Sequence, residues 1–470
     1  MKLKQVFKLS FAVLFVFILS SCNSDSSDYT QDSYSKDAQI YGFKLTCKPI
    51  TSADSVNYPI MAGTKFAIDQ FRDLIYNPDS LPYKTTLKKF LATVSFGTYG
   101  IGKIQLLYPN DSVASWEDTT DSIDFSTPSY PKFLVTAPDG VTSKTYTIDI
   151  RVHKVNPDLL IWEDVTSKLN QPTSIVNQKT LLKEGSTVAK VDTFFTFSKD
   201  NDNQLYLHKA VRDAAYSYKQ AITGLSTANV NLDNIILFNG GFYVVGENKK
   251  GYSSEDGVRW TEKASGIYGI LGVLPAANAA KDSLLVITEN GGKYSFSKTS
   301  DLNELKLVRE FNGLEMESFP ISGFSAITNF DRTDLNKNLL ILTGGENVGG
   351  KYGRLTWLVQ VSNNNVLRTT SDGDHSVFPN TPGIVNFMYD DYLYALIANK
   401  LYKSASFGYK WIPAPTTEAL VAGIPRASGQ SIIVDRENYI WIFGGVSTTS
   451  SDSSIHQVWR GRLNKLNPKR

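Results

Sequence analysis

Ile424-Pro425-Arg426-Ala427-Ser428-Gly429, Ser431-Ile432-Ile433-Val434, Tyr439-Ile440-Trp441-Ile442-Phe443-Gly444-Gly445 and Val458-Trp459-Arg460-Gly461-Arg462-Leu463 decide how this chain folds. The last three runs are short, rich in β-branched and aromatic residues, and separated by polar or glycine turns, as strands are. Three strands by residue 463 leave a four-stranded sheet one strand short. Working upstream, comparable blocks occupy 235–262, 268–309, 322–370 and 384–412. Each reads as four short strands, and a recurrence of roughly 40–50 residues is the period of propeller blades. A further block spans 188–221. Leu159-Leu160-Ile161-Trp162-Glu163 is apolar and lies ahead of it, and so predicts the strand missing from the last block. Such an exchange joins the chain ends and removes open sheet edges. The reading is about six blades, with seven as the alternative.

The final block resembles a kelch repeat, with a Pro-Arg start, a strand ending in Gly444-Gly445, and Trp459 downstream. Gly344-Gly345 with Trp357 is a second copy without the Pro-Arg start. The resemblance implies glycines that turn the chain near the axis and tryptophans wedged between sheets. Ser254-Glu255-Asp256-Gly257-Val258-Arg259-Trp260 resembles an Asp-box turn, one residue short. Ser404-Ala405-Ser406-Phe407-Gly408-Tyr409-Lys410-Trp411 keeps the spacing with serine at the aspartate position. In that family the motif is a folding device remote from any active site. Asp256, Gly257, Trp260 and Trp411 are therefore expected to be structural.

Residues 37–155 read as a β-sandwich of short alternating strands. Its last hairpin is the clearest: Pro131–Ala137, a turn at Pro138-Asp139-Gly140, then Lys144–Val152 with Tyr146, Ile148, Ile150 and Val152 on one face. The pattern resembles immunoglobulin-like or cadherin-like modules. The whole is all-β: a sandwich followed by a kelch-like, Asp-box-like propeller over 157–465.

The chain opens Met1-Lys2-Leu3-Lys4, with two positive charges, and continues through an apolar run from Phe11 to Leu19 to Leu19-Ser20-Ser21-Cys22. This is a secretory leader, and its run is too short to span a bilayer. The cysteine after a small pair resembles a bacterial lipoprotein signal, which implies lipid on Cys22. Polar residues 23–36 read as a flexible tether. Acidic, serine-rich residues behind the cysteine resemble the export signal of surface lipoproteins in Bacteroidetes. An outer-membrane lipoprotein, facing the surface or the periplasm, is expected. With Cys22 lipidated, Cys47 has no partner, so the body folds without an intrachain disulfide.

The net charge of +2 is spread without a basic stripe, which argues against nucleic-acid binding. His153, His208, His375 and His456 show no metal-ligand spacing, so neither a metal nor another cofactor is expected. The carboxylate pairs Asp390-Asp391, Glu315 with Glu317, and Asp372 with Asp374 do not declare a hydrolase by spacing alone. The chain lacks the Phe/Tyr-Arg-Ile-Pro opening of sialidases, a Gly-x-Ser-x-Gly elbow and a phosphate loop. No catalytic residue is assigned.

Together the leader, sandwich and propeller resemble a family of uncharacterised Bacteroides lipoproteins. The expected function is binding or scaffolding, with a propeller face presented to a glycan or a protein. Aromatic residues such as Tyr252, Tyr268, Trp357 and Tyr409 would either stack on sugars or wedge between blades. An unrecognised glycoside hydrolase or lyase, and an accessory subunit of an outer-membrane uptake complex, are the alternatives.

Overall fold

Leu339–Thr343 and Ile440–Phe443 are buried at every position. A strand apolar on both faces must be covered on both faces. In this chain the cover is a neighbouring sheet on either side. The computed structural model describes residues 34–47, 60–88, 90–117, 121–126, 130–169, 175–185, 191–216, 218–225, 230–276, 278, 281–331, 333–334, 337–361, 367–372, 378–379, 382–397, 399–447 and 455–467. Cys22 and Asp374-His375 lie outside them. The chain divides into two compact units, Met1–Asn156 and Pro157–Arg470.

In the first unit, Ile40–Cys47, Phe90–Phe96 and Ser122–Ile123 form one sheet. The second sheet runs Ala67–Asp69, Leu74–Tyr76, Ser143–Asp149, Lys132–Thr136, Lys103–Leu107, Val113–Ser115. Phe43, Leu45 and Phe90 of the first sheet share one core with Phe133, Tyr146 and Ile148 of the second. Two faces of a sandwich pack in this way. The expected final hairpin is present, with Phe133 opposite Tyr146. Leu74–Tyr76 runs parallel to Ser143–Asp149, and a further parallel bridge joins Leu81 to Val152.

Among the described residues the second unit forms six four-stranded antiparallel sheets, the blades of a propeller. Their first, axial strands are Ile175–Lys183, Ile236–Phe238, Ile267–Leu274, Ser325–Asn329, Val385–Tyr389 and Ser431–Val434. The sixth blade is completed by Leu160–Asp164, which pairs antiparallel with Val458–Leu463, Leu160 opposite Leu463 and Asp164 opposite Trp459. The exchanged strand is the one the sequence offered for closure.

The seam between sixth and first blades combines apolar and ionic contacts. Trp441 lies edge-on to Phe194 of the first blade at 5.0 Å and stacks over Phe443. Beside it Asp435 Oδ2 accepts from Trp441 Nε1 at 2.9 Å and Arg212 Nη1 at 3.2 Å. Arg436 donates to the buried carboxylate of Asp192. Burial opposes the charge of Arg212, but Glu437 and Asp435 outweigh it and raise its pKa above the ordinary value. Trp459 packs half-buried on the other side, in the cluster shared with the fifth blade.

The outer turns repeat one device. In the second blade, Asp256 Oδ1 accepts from Val258 N (2.8 Å) and Arg259 N (2.9 Å), and Gly257 N donates to Ser254 Oγ (2.9 Å). Gly257 has φ +79°, and Trp260 folds back to donate from Nε1 to the Gly257 carbonyl. In the fifth blade, Gly408 N donates to Ser404 Oγ, Lys410 N donates to Ser406 Oγ, and Trp411 is buried. The third blade contains a copy that the sequence reading passed over. Leu302 N donates to Thr299 Oγ1, and Asn303 N donates to Asp301 Oδ1. Leu302 takes the glycine place at φ +62°, and its side chain is fully buried. Burial of that side chain offsets a backbone conformation that otherwise favours glycine.

Partial burial works against the charge on Asp256. The N–H groups of Arg259 and Val258 and the hydroxyl of Ser254 outweigh it and draw its pKa down to about 2. A carboxylate with a depressed folded pKa stabilises above its unfolded value of 3.8, and that contribution is lost as pH falls towards 2. Discounted for solvent screening of a side chain 36% exposed, Asp256→Ala is expected to cost about 1 kcal/mol at neutral pH. The difference from wild type should shrink in denaturant melts near pH 2. A constant difference from pH 7 to pH 2 would show that the carboxylate charge is not what holds the turn.

Candidate functional site: the axial cavity

The six axial strands surround a cavity of about 890 Å³. Hydrogen bonds between neighbouring blades fix its wall. Ser325 Oγ accepts from Asn386 N at 2.7 Å, and Ser431 Oγ accepts from Thr180 N at 2.9 Å. Thr328 Oγ1 donates to the Val273 carbonyl at 2.7 Å. A chain of polar groups runs outward from the wall: Asn386 Nδ2 donates to Thr343 Oγ1, Thr343 meets Thr356, and Trp411 Nε1 donates to Thr356 Oγ1. These bonds tie the fourth and fifth blades together behind the wall.

Two of these serines belong to a repeat that sequence reading could have found. Ser322-Gly323-Phe324-Ser325 and Ser428-Gly429-Gln430-Ser431 lead into the fourth and sixth axial strands. Ser322 bridges to Glu346, and Ser428 pairs with Val446, just after each Gly-Gly. The glycines explain themselves here. Gly345 and Gly445 have φ +98° and +104°, and a Cβ on either would lie within 3 Å of the strand entrance. A Cβ on Gly444 would strike the Gln178 amide of the first blade, and one on Gly344 would meet Ile384 of the fifth. The paired glycines thus allow close approach at the axis. Trp357 is fully buried and lies edge-on to Phe319 at 5.0 Å. It and Tyr252 are interior wedges with no face for a sugar, whereas Tyr409 is exposed.

The cavity lining is amide- and hydroxyl-rich: Asn177, Asn231, Asn234, Asn386, Gln430 and Thr328 among apolar residues. Its charged residues, among those described, are Lys179, Asp233 and Glu184. Lys179 lies on the first axial strand. Asp233 lies in a single 3₁₀ turn, Leu232–Asn234, capped by Asn231. By surface area Lys179 is half-buried and Asp233 is exposed. Even so, burial lowers the Lys179 pKa and raises that of Asp233, while each charge partly supports the other. No direct ion pair joins the two among the described residues. The Asn386 Oδ1 atom is buried with no hydrogen-bond partner among the described residues, and such an atom is costly unless something else satisfies it.

The remaining sequence candidates lie elsewhere. Glu315 is buried, held by both Nη groups of Arg309, and caps the N-terminus of the helix Gly313–Ser318. Asp390 pairs with Lys465 at 2.7 Å. His208 Nε2 meets Ser198 Oγ at 2.9 Å, and burial pushes its pKa down to about 4. No group of three or more potential metal ligands occurs among the described residues.

Among solved structures, the chain is similar to the Aleuria aurantia lectin, described as a six-bladed β-propeller with a novel fucose recognition mode. The identity is 11%, over 62% of this chain and 93% of that one, with a TM-score of 0.37. It is also similar to a GH43 endo-arabinanase from Bacillus licheniformis, at 12% identity over 62% of this chain and 95% of that one, with a TM-score of 0.29. No curated protein matches it. The model of the DUF6242 beta propeller domain matches residues 156–470, and that of the DUF6242 N-terminal domain, a domain of unknown function, matches residues 43–150. The chain therefore belongs to the DUF6242 family.

Proposed function

We propose that this is a lipid-anchored glycan-binding protein of the outer membrane, and that its propeller takes the ligand in the axial cavity. The observation that carries the reading is the cavity itself. It is pre-formed, walled by all six blades, and lined by amides and hydroxyls that suit sugar hydroxyls, with apolar surface between them. A hydrolase of the expected type would call for paired carboxylates with an arginine at one mouth. The described lining has Glu184 and Asp233 but no arginine, histidine or tyrosine, which favours capture over cleavage.

The full mature chain, applied to an array of dietary and host glycans, is expected to retain at least one class. Retention of none would contradict the reading. The charges supply a second test. Lys179 and Asp233 form no direct ion pair among the described residues, and Asp233 is open to solvent, so neutralising both removes no pairing on which the fold depends. Lys179→Met combined with Asp233→Asn is expected to leave stability equal or higher and to abolish retention on the array. A variant that loses stability would show instead that the two charges serve the fold.

A further inference from the structure

We infer that one end of the N-terminal domain is a membrane-docking tip, which inserts apolar side chains into the bilayer that anchors the chain. Three turns meet there around the segment where the chain enters the domain. The turn at 69–73 is joined to that segment by Gln70 Nε2 donating to the Ile40 carbonyl at 2.6 Å. The turn at 97–100 lies against Asp37 and Tyr41, both within 3.2 Å of where a Cβ on Gly97 would sit. The turn at 137–142 is joined by Asp139 N donating to the Ser35 carbonyl at 3.2 Å.

Each turn projects one apolar side chain into solvent: Phe71 is 101% exposed, Tyr99 81% and Val141 84%. Tyr34 and Tyr41 on the entering segment are exposed as well. Two turns are braced alike. Asp69 Oδ1 accepts from Phe71 N and Arg72 N, and Asp139 Oδ1 accepts from Val141 N and Thr142 N. The projecting residues are thus held outward by short, ordered turns. Single exposed apolar residues are ordinary on protein surfaces, but a cluster of them on braced turns at one end marks an interaction site.

The occupant follows from the chain's arrival point. Cys22 precedes Tyr34 by 34 − 22 = 12 residues. As the tether the sequence predicts, a stretch of that length would have a mean reach of about 20 Å. A lipid on Cys22 therefore keeps this end, rather than the far end at Leu81–Tyr83 beside Arg151, close to the headgroups. Aromatic side chains favour that interfacial depth. The inference rests on the lipid-anchor reading.

The test uses the full lipidated chain with Cys47→Ser and a nitroxide at Phe71→Cys, Tyr99→Cys, Val141→Cys or, as control, Tyr83→Cys. The vesicles are of phosphatidylethanolamine and phosphatidylglycerol. The ratio of oxygen to nickel-chelate collisions is expected to rise several-fold at 71, 99 and 141 over the value in detergent-free solution, and to stay level at 83. Unchanged ratios at 71 and 141 would overturn the docking tip. The mass of the membrane-purified chain tests the anchor separately. If Cys22 carries no lipid, a diacyl peptide ligated at residue 22 supplies one, and the same collision ratios then decide the tip.

Discussion

Asp435→Ala is expected to destabilise the propeller by about 3–5 kcal/mol, the range for breaking a buried charged network by removing one partner. The carboxylate is buried and accepts four hydrogen bonds. Oδ1 takes the N–H groups of Glu437 and Tyr439, both at 2.9 Å, and Oδ2 takes Arg212 and Trp441. Removing it frees the turn before Tyr439, leaves the Trp441 indole N–H unpaired in the interior, and strips one partner from the half-buried Arg212. Asp192 and Glu437 remain near that guanidinium, so its charge is not wholly abandoned. Asp213→Ala is the control at the same seam. Asp213 is 52% exposed on its side chain and pairs with Arg460, so its removal should cost less than about 1 kcal/mol. Urea unfolding followed by tryptophan fluorescence separates the two. Equal midpoints for both variants would mean that the ionic seam is ornament and that the apolar contacts alone close the ring.

The second large effect concerns the tryptophans of the same blade. Trp441→Ala is expected to cost about 3–5 kcal/mol, as large-to-alanine changes in a filled core do. Trp441 is 1% exposed, packs on Phe194 and Phe443, and supports Arg460 over its ring at 5.5 Å. Trp459 is half-buried, with its indole N–H donating to Gln457 at the surface. Trp459→Ala should therefore cost only about 1–2 kcal/mol, in proportion to the area it withdraws from water. Reversal of that order in thermal melts would place the closing wedge on the fifth-blade side instead.

Much of this fold was legible in the residues because each blade is a local unit. Four short runs with polar turns announce themselves without any long-range information, and the missing strand of the last block pointed to Leu159–Glu163, where the strand Leu160–Asp164 lies. The first blade was harder to read. Its axial strand carries Asn177, Gln178, Lys179 and Thr180 in the middle, a polar stretch that only the axial environment makes into strand. The Gly-Gly pairs were legible as turns. Their specific need, clearance from Gln178 and Ile384 of neighbouring blades, depends on contacts that sequence distance hides. The turn at Thr299–Leu302 was missed because leucine stands where the pattern calls for glycine. Ser325 and Ser431 were missed for a different reason. Each acts on a neighbouring blade's backbone, so the repeated Ser-Gly-x-Ser carries meaning only once the blades are placed in a ring.

The candidate site was less legible than the fold. Lys179 and Asp233 are separated by 54 residues (233 − 179) and share no motif. They come together because axial positions of successive blades converge on one cavity. Repeat scaffolds commonly build sites this way, from single residues contributed by many units.

The central claim is that ligand occupies the axial cavity. Calorimetric titration of an array-selected glycan into the full mature chain tests it most directly, with wild type and the Lys179→Met, Asp233→Asn variant side by side. The prediction is saturable one-site binding to wild type and at least a tenfold loss of affinity in the variant, about 1.4 kcal/mol or more, with its melting temperature undiminished. Equal affinity in a folded variant would contradict the account and place the binding surface elsewhere on the propeller.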